Sequence, residues 1–158
     1  MSEILDMCCG SRMFWHDKND KRAVFVDIRN EEHFLCDGRH LVISPDVIAD
    51  FRDLPFPDEE FAVVVFDPPH LERAGQNSWM RKKYGVLNKE TWREDIREGF
   101  GEAFRVLSPN GVLIFKWNET QIPTREILSL TDERPVITQR TGKSDKTHWI
   151  IFVKPMKD

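Results

Sequence analysis

Short apolar runs, several of them closed by an aspartate, alternate with polar stretches along this chain of 158 residues. Ile4-Leu5-Asp6-Met7, Ala23-Val24-Phe25-Val26, Asp46-Val47-Ile48-Ala49, Phe61-Ala62-Val63-Val64-Val65-Phe66 and Val112-Leu113-Ile114-Phe115 read as five strands. Runs without polar alternation belong to strands covered on both faces, as in a parallel sheet. Pro109-Asn110-Gly111, before the fifth run, is turn chemistry. Between the fourth and fifth strands, Trp92, Ile96, Phe100, Ala103, Phe104 and Leu107 keep helical spacing, and Thr91 with Glu94 reads as a capping box. A second helix is predicted from about Pro123 to Leu130. Val136-Ile137-Thr138 and His148 to Val153 predict a terminal hairpin around Gly142, and Phe34-Leu35 and Leu41-Val42-Ile43 predict another around Cys36-Asp37-Gly38-Arg39. The order predicts a doubly wound α/β sheet, mostly parallel, with a C-terminal antiparallel hairpin and a single domain over residues 1–158.

Composition narrows this without redirecting it. A chain of this length buries ~70% of the surface its unfolded form exposes, enough for one full core. No apolar run approaches the ~20 residues of a membrane span, and the first residues lack a signal-peptide pattern. Three cysteines, two of them adjacent at Cys8 and Cys9, disfavour a disulfide framework, so a reducing, cytoplasmic setting with no membrane partner is expected. A net charge of −4 and a pI near 5.8 argue against indiscriminate coating of nucleic acid. Two segments run against that balance: 71–84 is locally +3 and 139–147 locally +2.

Candidate chemistry lies where the strands end. Ligands of open α/β sheets sit at the carboxyl ends of the strands, and here those ends carry Asp6 to Ser11, Asp27, Asp50 and Asp67. Asp67-Pro68-Pro69-His70 suits the gripping of a planar exocyclic amine. Asp67 accepts one N–H, the Pro68 carbonyl accepts the other, and the His70 ring stacks on the plane. The prolines restrict the backbone, so these acceptors need little reorganisation. The turn from Asp6 to Arg12 has one glycine where a dinucleotide fingerprint needs three, and no strand and upstream glycine precede Gly142-Lys143-Ser144. A cofactor without phosphates fits better, and S-adenosylmethionine (SAM) is the one expected. Asp6 or the turn backbone at Cys8 and Gly10 would hold its methionine end. Asp27, 17 residues after Gly10 and followed by Ile28, would take both ribose hydroxyls. Asp50 would take the adenine amine, with Phe51 against its ring.

Together these residues resemble a class I SAM-dependent methyltransferase, of the amino-methyltransferases with an [Asn/Asp/Ser]-Pro-Pro-aromatic motif. Ile4-Leu5-Asp6 through Gly10 looks like the family's first motif. Asp50 with Leu54-Pro55-Phe56-Pro57-Asp58 and Phe61 looks like its adenine-binding segment, and Arg105 to Leu113 like its fifth-strand entry. The whole chain is similar to small stand-alone bacterial and phage proteins of the DNA-methylase type. The resemblance implies methyl transfer to adenine N6 or cytosine N4 in DNA. Asp67, Pro68 and His70 are then the catalytic residues, and Pro69, Trp79, Arg81, Lys82 and Tyr84 the substrate contacts, the last four on a lid within 71–90. Two positions depart from the pattern: Arg12 stands where a second glycine is usual, and His70 replaces a larger ring. About twenty residues separate His70 from the next helix, which leaves no room for a separate recognition domain. Specificity is therefore expected from that segment or from a protein partner.

Other readings stay open at this point. RNA adenine serves the same grip; a free small-molecule amine or a glutamine amide comes next; a SAM-binding module without catalysis is a further class. His33, Cys36 and His40 match no standard zinc spacing, so no metal is expected and the hairpin reading is preferred.

Overall fold

The computed structural model of the chain describes residues 3–70 and 87–156. Seven strands form one sheet: β1 (Ile4–Asp6), β2 (Ala23–Asp27), β5 (Val47–Ile48), β6 (Phe61–Phe66), β7 (Leu107–Asn118), β8 (Ile137–Thr141) and β9 (Thr147–Val153). β3 (Glu31–Phe34) and β4 (His40–Ile43) form a separate antiparallel hairpin between β2 and β5. The helices are α1 (Trp92–Val106) and α2 (Thr124–Leu128). The sheet order is β5-β2-β1-β6-β7-β9-β8. Pairs β5–β2, β2–β1, β1–β6 and β6–β7 are parallel, and β7–β9 and β9–β8 antiparallel. This is the expected mostly parallel α/β sheet with its antiparallel C-terminal pair.

Register separates the two faces. Leu5 lies beside Val24 and Val64, Val64 beside Leu113, and Leu113 beside Phe152. These residues belong to one large core with Ile96, Phe100, Ala103 and Val106 of α1 and Ile127 of α2. The rings of Phe66, Phe100 and Phe115 meet at its centre, with centroids 4.8–5.5 Å apart. Amphipathic spacing thus docks both helices on one face of the sheet. On the other face Ala23 and Phe25 are covered by Trp15, and the Arg12 guanidinium lies 3.9 Å over the Phe25 ring. Farther along that face Val63, Val112, Ile114 and Ile151 are only half-buried. The described chain between β1 and β2, residues 7–22, consists of turns, and the β3–β4 hairpin stands between β2 and β5.

Three local expectations are corrected. The fifth strand begins at Leu107 rather than Val112, because the chain runs through Pro109-Asn110-Gly111 as a bulge. Pairing slips from Phe61–Leu107 to Val63–Val112, with Asn110 at φ 64°. Lys154 locks the bulge: its N–H donates to the Gly111 carbonyl at 2.9 Å, and its Nζ donates to Phe104 and Leu107 carbonyls at 2.6 and 2.7 Å. Those carbonyls end α1, where a cation is favoured by orphan acceptors and the helix dipole. The capping box does not form either. The Thr91 hydroxyl donates to Asp95 at 2.8 Å, and the Asn88 side chain accepts the Glu90 and Thr91 N–H groups. Finally, β5 shrinks to Val47–Ile48; the Asp46 carboxylate instead accepts the Phe25 N–H at 3.0 Å, holding that edge without longer pairing.

Candidate active site

A crevice of about 760 Å³ opens at the carboxyl ends of β2, β1, β6 and β7. Asp6, Asp27, Asp50 and Asp67 all line it, so the strand-end aspartates do converge. Cys8, Gly10, Ile28, Phe51, Pro68, Pro69 and His70 line it as well. Trp79, Arg81, Lys82 and Tyr84, expected as substrate contacts, lie outside the described residues.

The turn after β1 is built on its own aspartates. Gly10 adopts φ 51°, a left-handed value that glycine tolerates best, and its N–H donates to Asp27 Oδ2 at 2.9 Å. Asp27 Oδ1 accepts the Arg29 N–H at 2.9 Å. The Arg29 Nε–H also donates to Oδ1, at 3.3 Å, so of a carboxylate's about four acceptor sites Asp27 keeps about one, on Oδ2, for a ribose hydroxyl. Asp6 is buried; it accepts the Trp15 indole N–H at 2.7 Å and the Cys8 N–H at 3.2 Å. Desolvation, with a smaller contribution from Asp67, pushes its carboxyl up to about 7 despite those bonds. Asp6 therefore organises the turn more than it reaches into solvent. Arg12 resolves the missing second glycine by taking φ 61° and turning its side chain away from the crevice. Its guanidinium donates to the Lys18 and Ser44 carbonyls at 2.6 and 2.8 Å. Burial raises both neighbouring thiols, Cys9 to about 12 and Cys8 well above its ordinary value, so neither is a thiolate at neutral pH.

Asp50, expected to take the adenine amine, is paired with Arg52 at 2.7 Å, and Arg52 reaches Asp95 of α1 at 3.0 Å. Phe51 faces the crevice but also packs against Phe66, with centroids 5.2 Å apart. Gly99 of α1 permits this, since a Cβ there would sit 2.6 Å from Phe66 and 2.9 Å from Phe51. The cradle therefore fits SAM: a residual acceptor on Asp27 for a ribose hydroxyl, an aromatic side at Phe51 and the backbone turn at Gly10.

Asp67, expected to grip the amine, lines the crevice with its side chain 30% exposed. Desolvation raises its carboxyl to about 6, and Lys116, 4.0 Å away, opposes the shift. His70 is pushed down to about 4, first by desolvation and then by Lys116, so its ring is neutral near pH 7. A neutral ring is the better stacking partner for a flat heterocycle. Sequence reasoning missed the rest of this wall: Phe14, Lys116, Asn118, Thr147 and Trp149. The one available signal was Lys116, a charge interrupting the apolar run Val112 to Trp117.

No family profile and no curated protein matches the sequence. Solved structures share the fold. The PH0226 protein of Pyrococcus horikoshii OT3 superposes with a TM-score of 0.63 at 15% identity, over 98% of this chain and 82% of that one. The N-methyltransferase NodS of Bradyrhizobium japonicum WM9 gives 0.62 at 14%, over 98% and 86%. The 1,6-didemethyltoxoflavin-N1-methyltransferase of Burkholderia thailandensis, solved with bound 1,6-didemethyltoxoflavin and S-adenosylhomocysteine, gives 0.57 at 11%, over 98% and 72%. The chain has the Rossmann-like fold of class I SAM-dependent methyltransferases. Among the described residues, no helix is long and apolar enough to cross a membrane.

Proposed function

We propose that this protein is a SAM-dependent methyltransferase acting on the exocyclic amine of a nucleobase, adenine N6 or cytosine N4, with DNA as the first substrate class and RNA as the second. The observation that carries the reading is the placement of Asp67-Pro68-Pro69-His70 on the same crevice as the Asp6–Gly10 turn and Asp27. In this reading Asp27 holds the ribose, Phe51 flanks the adenine, and the Cys8–Gly10 backbone holds the methionine end. SAM supplies an electrophilic methyl on sulfur. The protein supplies position and acceptors, since two reactants held in near-attack geometry gain up to ~7–11 kcal/mol in favourable systems.

The lone pair of an exocyclic amine is conjugated with its ring and is a poor nucleophile. Acceptance of its N–H bonds by the Asp67 carboxylate and the Pro68 carbonyl would favour a more tetrahedral nitrogen with a freed lone pair; its N–C bond would replace the S–C bond of SAM, and the proton it loses would pass to Asp67. A duplex base must first leave its stack. The chain acts as one domain, and a protein partner or residues 71–90 provide target choice.

A small free heteroaromatic amine is the second reading. The toxoflavin-precursor enzyme among the structural relatives favours it, as does a crevice within the ~300–1,000 Å³ of small-ligand sites. Tritiated methyl transfer from SAM to duplex DNA, single-stranded DNA, total RNA, protein extract and a metabolite extract separates the readings. Asp67→Ala is expected to lower transfer about 100- to 1,000-fold while calorimetric SAM affinity stays within about twofold. Undiminished turnover in that variant removes Asp67 from the mechanism.

A further inference from the structure

Lys116 occupies an unusual place. It sits mid-sheet on β7, on the face turned away from α1, in register with Trp149 of β9. Its Nζ lies 4.0 Å from Asp67 Oδ2 and 5.2 Å from the centroid of the Trp149 ring. Neither contact is a hydrogen bond, and 31% of the side chain is exposed to the crevice. An ammonium carries three donors, so among the described residues these remain available to a ligand. Trp149 is itself fixed: its indole N–H donates to Thr141 Oγ1 at 3.1 Å, and Phe14 leans on it with centroids 4.9 Å apart. The acceptor wall therefore presents, side by side, one anionic acceptor, one cationic donor and one immobilised aromatic side.

We propose that Lys116 is the specificity-determining donor of this site: while Asp67 takes an N–H of the reacting amine, Lys116 donates to the ring nitrogen beside it, so the pocket selects amino-heterocycles carrying an N=C–NH₂ unit. This rests on the nucleobase reading above and deepens it. An acceptor and a donor 4.0 Å apart address two neighbouring atoms of one flat molecule. Adenine and cytosine both present an amine next to a ring acceptor; alkyl amines and anilines do not. The Trp149–Phe14 pair walls the ring on the side away from Asp67. Lys116 has no part in bond making. It positions the ring and rejects amines that leave its charge unpaired.

The test is equilibrium binding, independent of turnover. Protein loaded with S-adenosylhomocysteine is titrated with labelled single-stranded oligonucleotides containing one adenine, one 1-deazaadenine or one 7-deazaadenine, and with the cytosine and 3-deazacytosine pair. The titrations are run at about pH 8 and repeated at about pH 9, so that a change in Asp67 ionisation on loss of Lys116 is told apart from loss of the donor. The expected result is about tenfold weaker binding when the contacted ring nitrogen is replaced by carbon. Lys116→Met closes that gap and Lys116→Arg restores part of it, both with unchanged thermal midpoints. Equal affinity for natural and deaza bases in the parent protein overturns the proposal, as does a gap that survives Lys116→Met or an absence of binding to any oligonucleotide. Parallel methyl-transfer assays separate the two claims: transfer without deaza discrimination sinks the role of Lys116 alone, whereas neither transfer nor binding sinks both.

Discussion

The two faces of the sheet differ in kind. The face under α1 and α2 is a closed core in which Phe115, Trp117, Ile150 and Phe152 are essentially inaccessible. The opposite face, whose strands alternate with the same residues, leaves Ile114, Ile151 and Trp149 half-buried, and Val153 is 42% exposed. The polar groups of the crevice belong to that second face: Asp6 and Asp27 share it with Phe25, and Lys116 shares it with Ile114. Stability is thus concentrated on one side of the sheet and chemistry on the other and at its tips. A buried lysine among the aromatic rings would carry a heavy desolvation cost; on the open side 31% of the Lys116 side chain stays exposed.

Truncation on the covered face tests this segregation most strongly. Phe115→Ala removes a ring that meets both Phe66 and Phe100, and is expected to cost about 3–5 kcal/mol by chemical denaturation. A loss below about 1.5 kcal/mol would show that the core is not continuous under the helices.

Gly99→Ala probes the place where the two regions touch. Alanine gains up to about 1 kcal/mol of helix propensity over glycine. Its Cβ, however, would fall 2.6 Å from Phe66 and 2.9 Å from Phe51, and overpacking of that sort costs about 1–3 kcal/mol. Two ring systems cannot both retreat, so net destabilisation of about 1–2 kcal/mol is expected. Phe51 also lines the crevice, so SAM affinity should fall about fivefold in calorimetry. Loss of stability with unchanged SAM affinity would separate Phe51 from the cofactor.

The same contrast explains what could be read in the sequence. The strands β1, β2 and β6 announce themselves, because each apolar run closes on an aspartate. The convergence of Asp6, Asp27, Asp50 and Asp67 follows from parallel topology alone, and so it too was legible. Lys116 and Trp149 were not: each alternates with buried neighbours, and only register shows that they stand side by side. Asp6 read as a cofactor ligand, yet its bond to Trp15 closes a loop that no periodicity marks. Pro109-Asn110-Gly111 read as a turn, and its local chemistry was right, but the tether to Lys154 at the far end of the chain keeps it within a strand. The Thr91–Glu94 cap failed because Asn88, three residues before Thr91, takes the Thr91 N–H and the Thr91 hydroxyl turns to Asp95.

On the open face the cost of truncation should be modest. Ile114→Ala exposes little that is not already half-exposed, and a loss of about 1 kcal/mol is expected from the area involved. A cost matching that of Phe115→Ala would mean that this face is covered in solution.

The smallest effect, a dependence on pH, has an informative sign. In the proposed mechanism Asp67 must be ionised to accept an N–H, and its pKa is raised to about 6 by desolvation, with Lys116 pulling it down without full compensation. Methyl transfer should then be constant above about pH 7 and fall on the acid side, halving near pH 6. Stability should move the other way. Asp6, raised to about 7, and Asp67 bind protons more tightly folded than unfolded, so their contribution grows as pH falls and is lost as pH rises through those values. His70, lowered to about 4, opposes them: the unfolded chain protonates it first, below its usual value of 6.5. Two carboxyls against one imidazole leave a net gain, so the thermal midpoint should rise slightly between about pH 8 and about pH 5.5 while transfer declines. Because Asp6 and Asp67 repel each other, the two steps belong to the pair rather than to either residue. Asp67→Asn should remove the acid limb of whatever activity survives and flatten part of the stability slope; a slope unchanged in that variant would place the titration elsewhere.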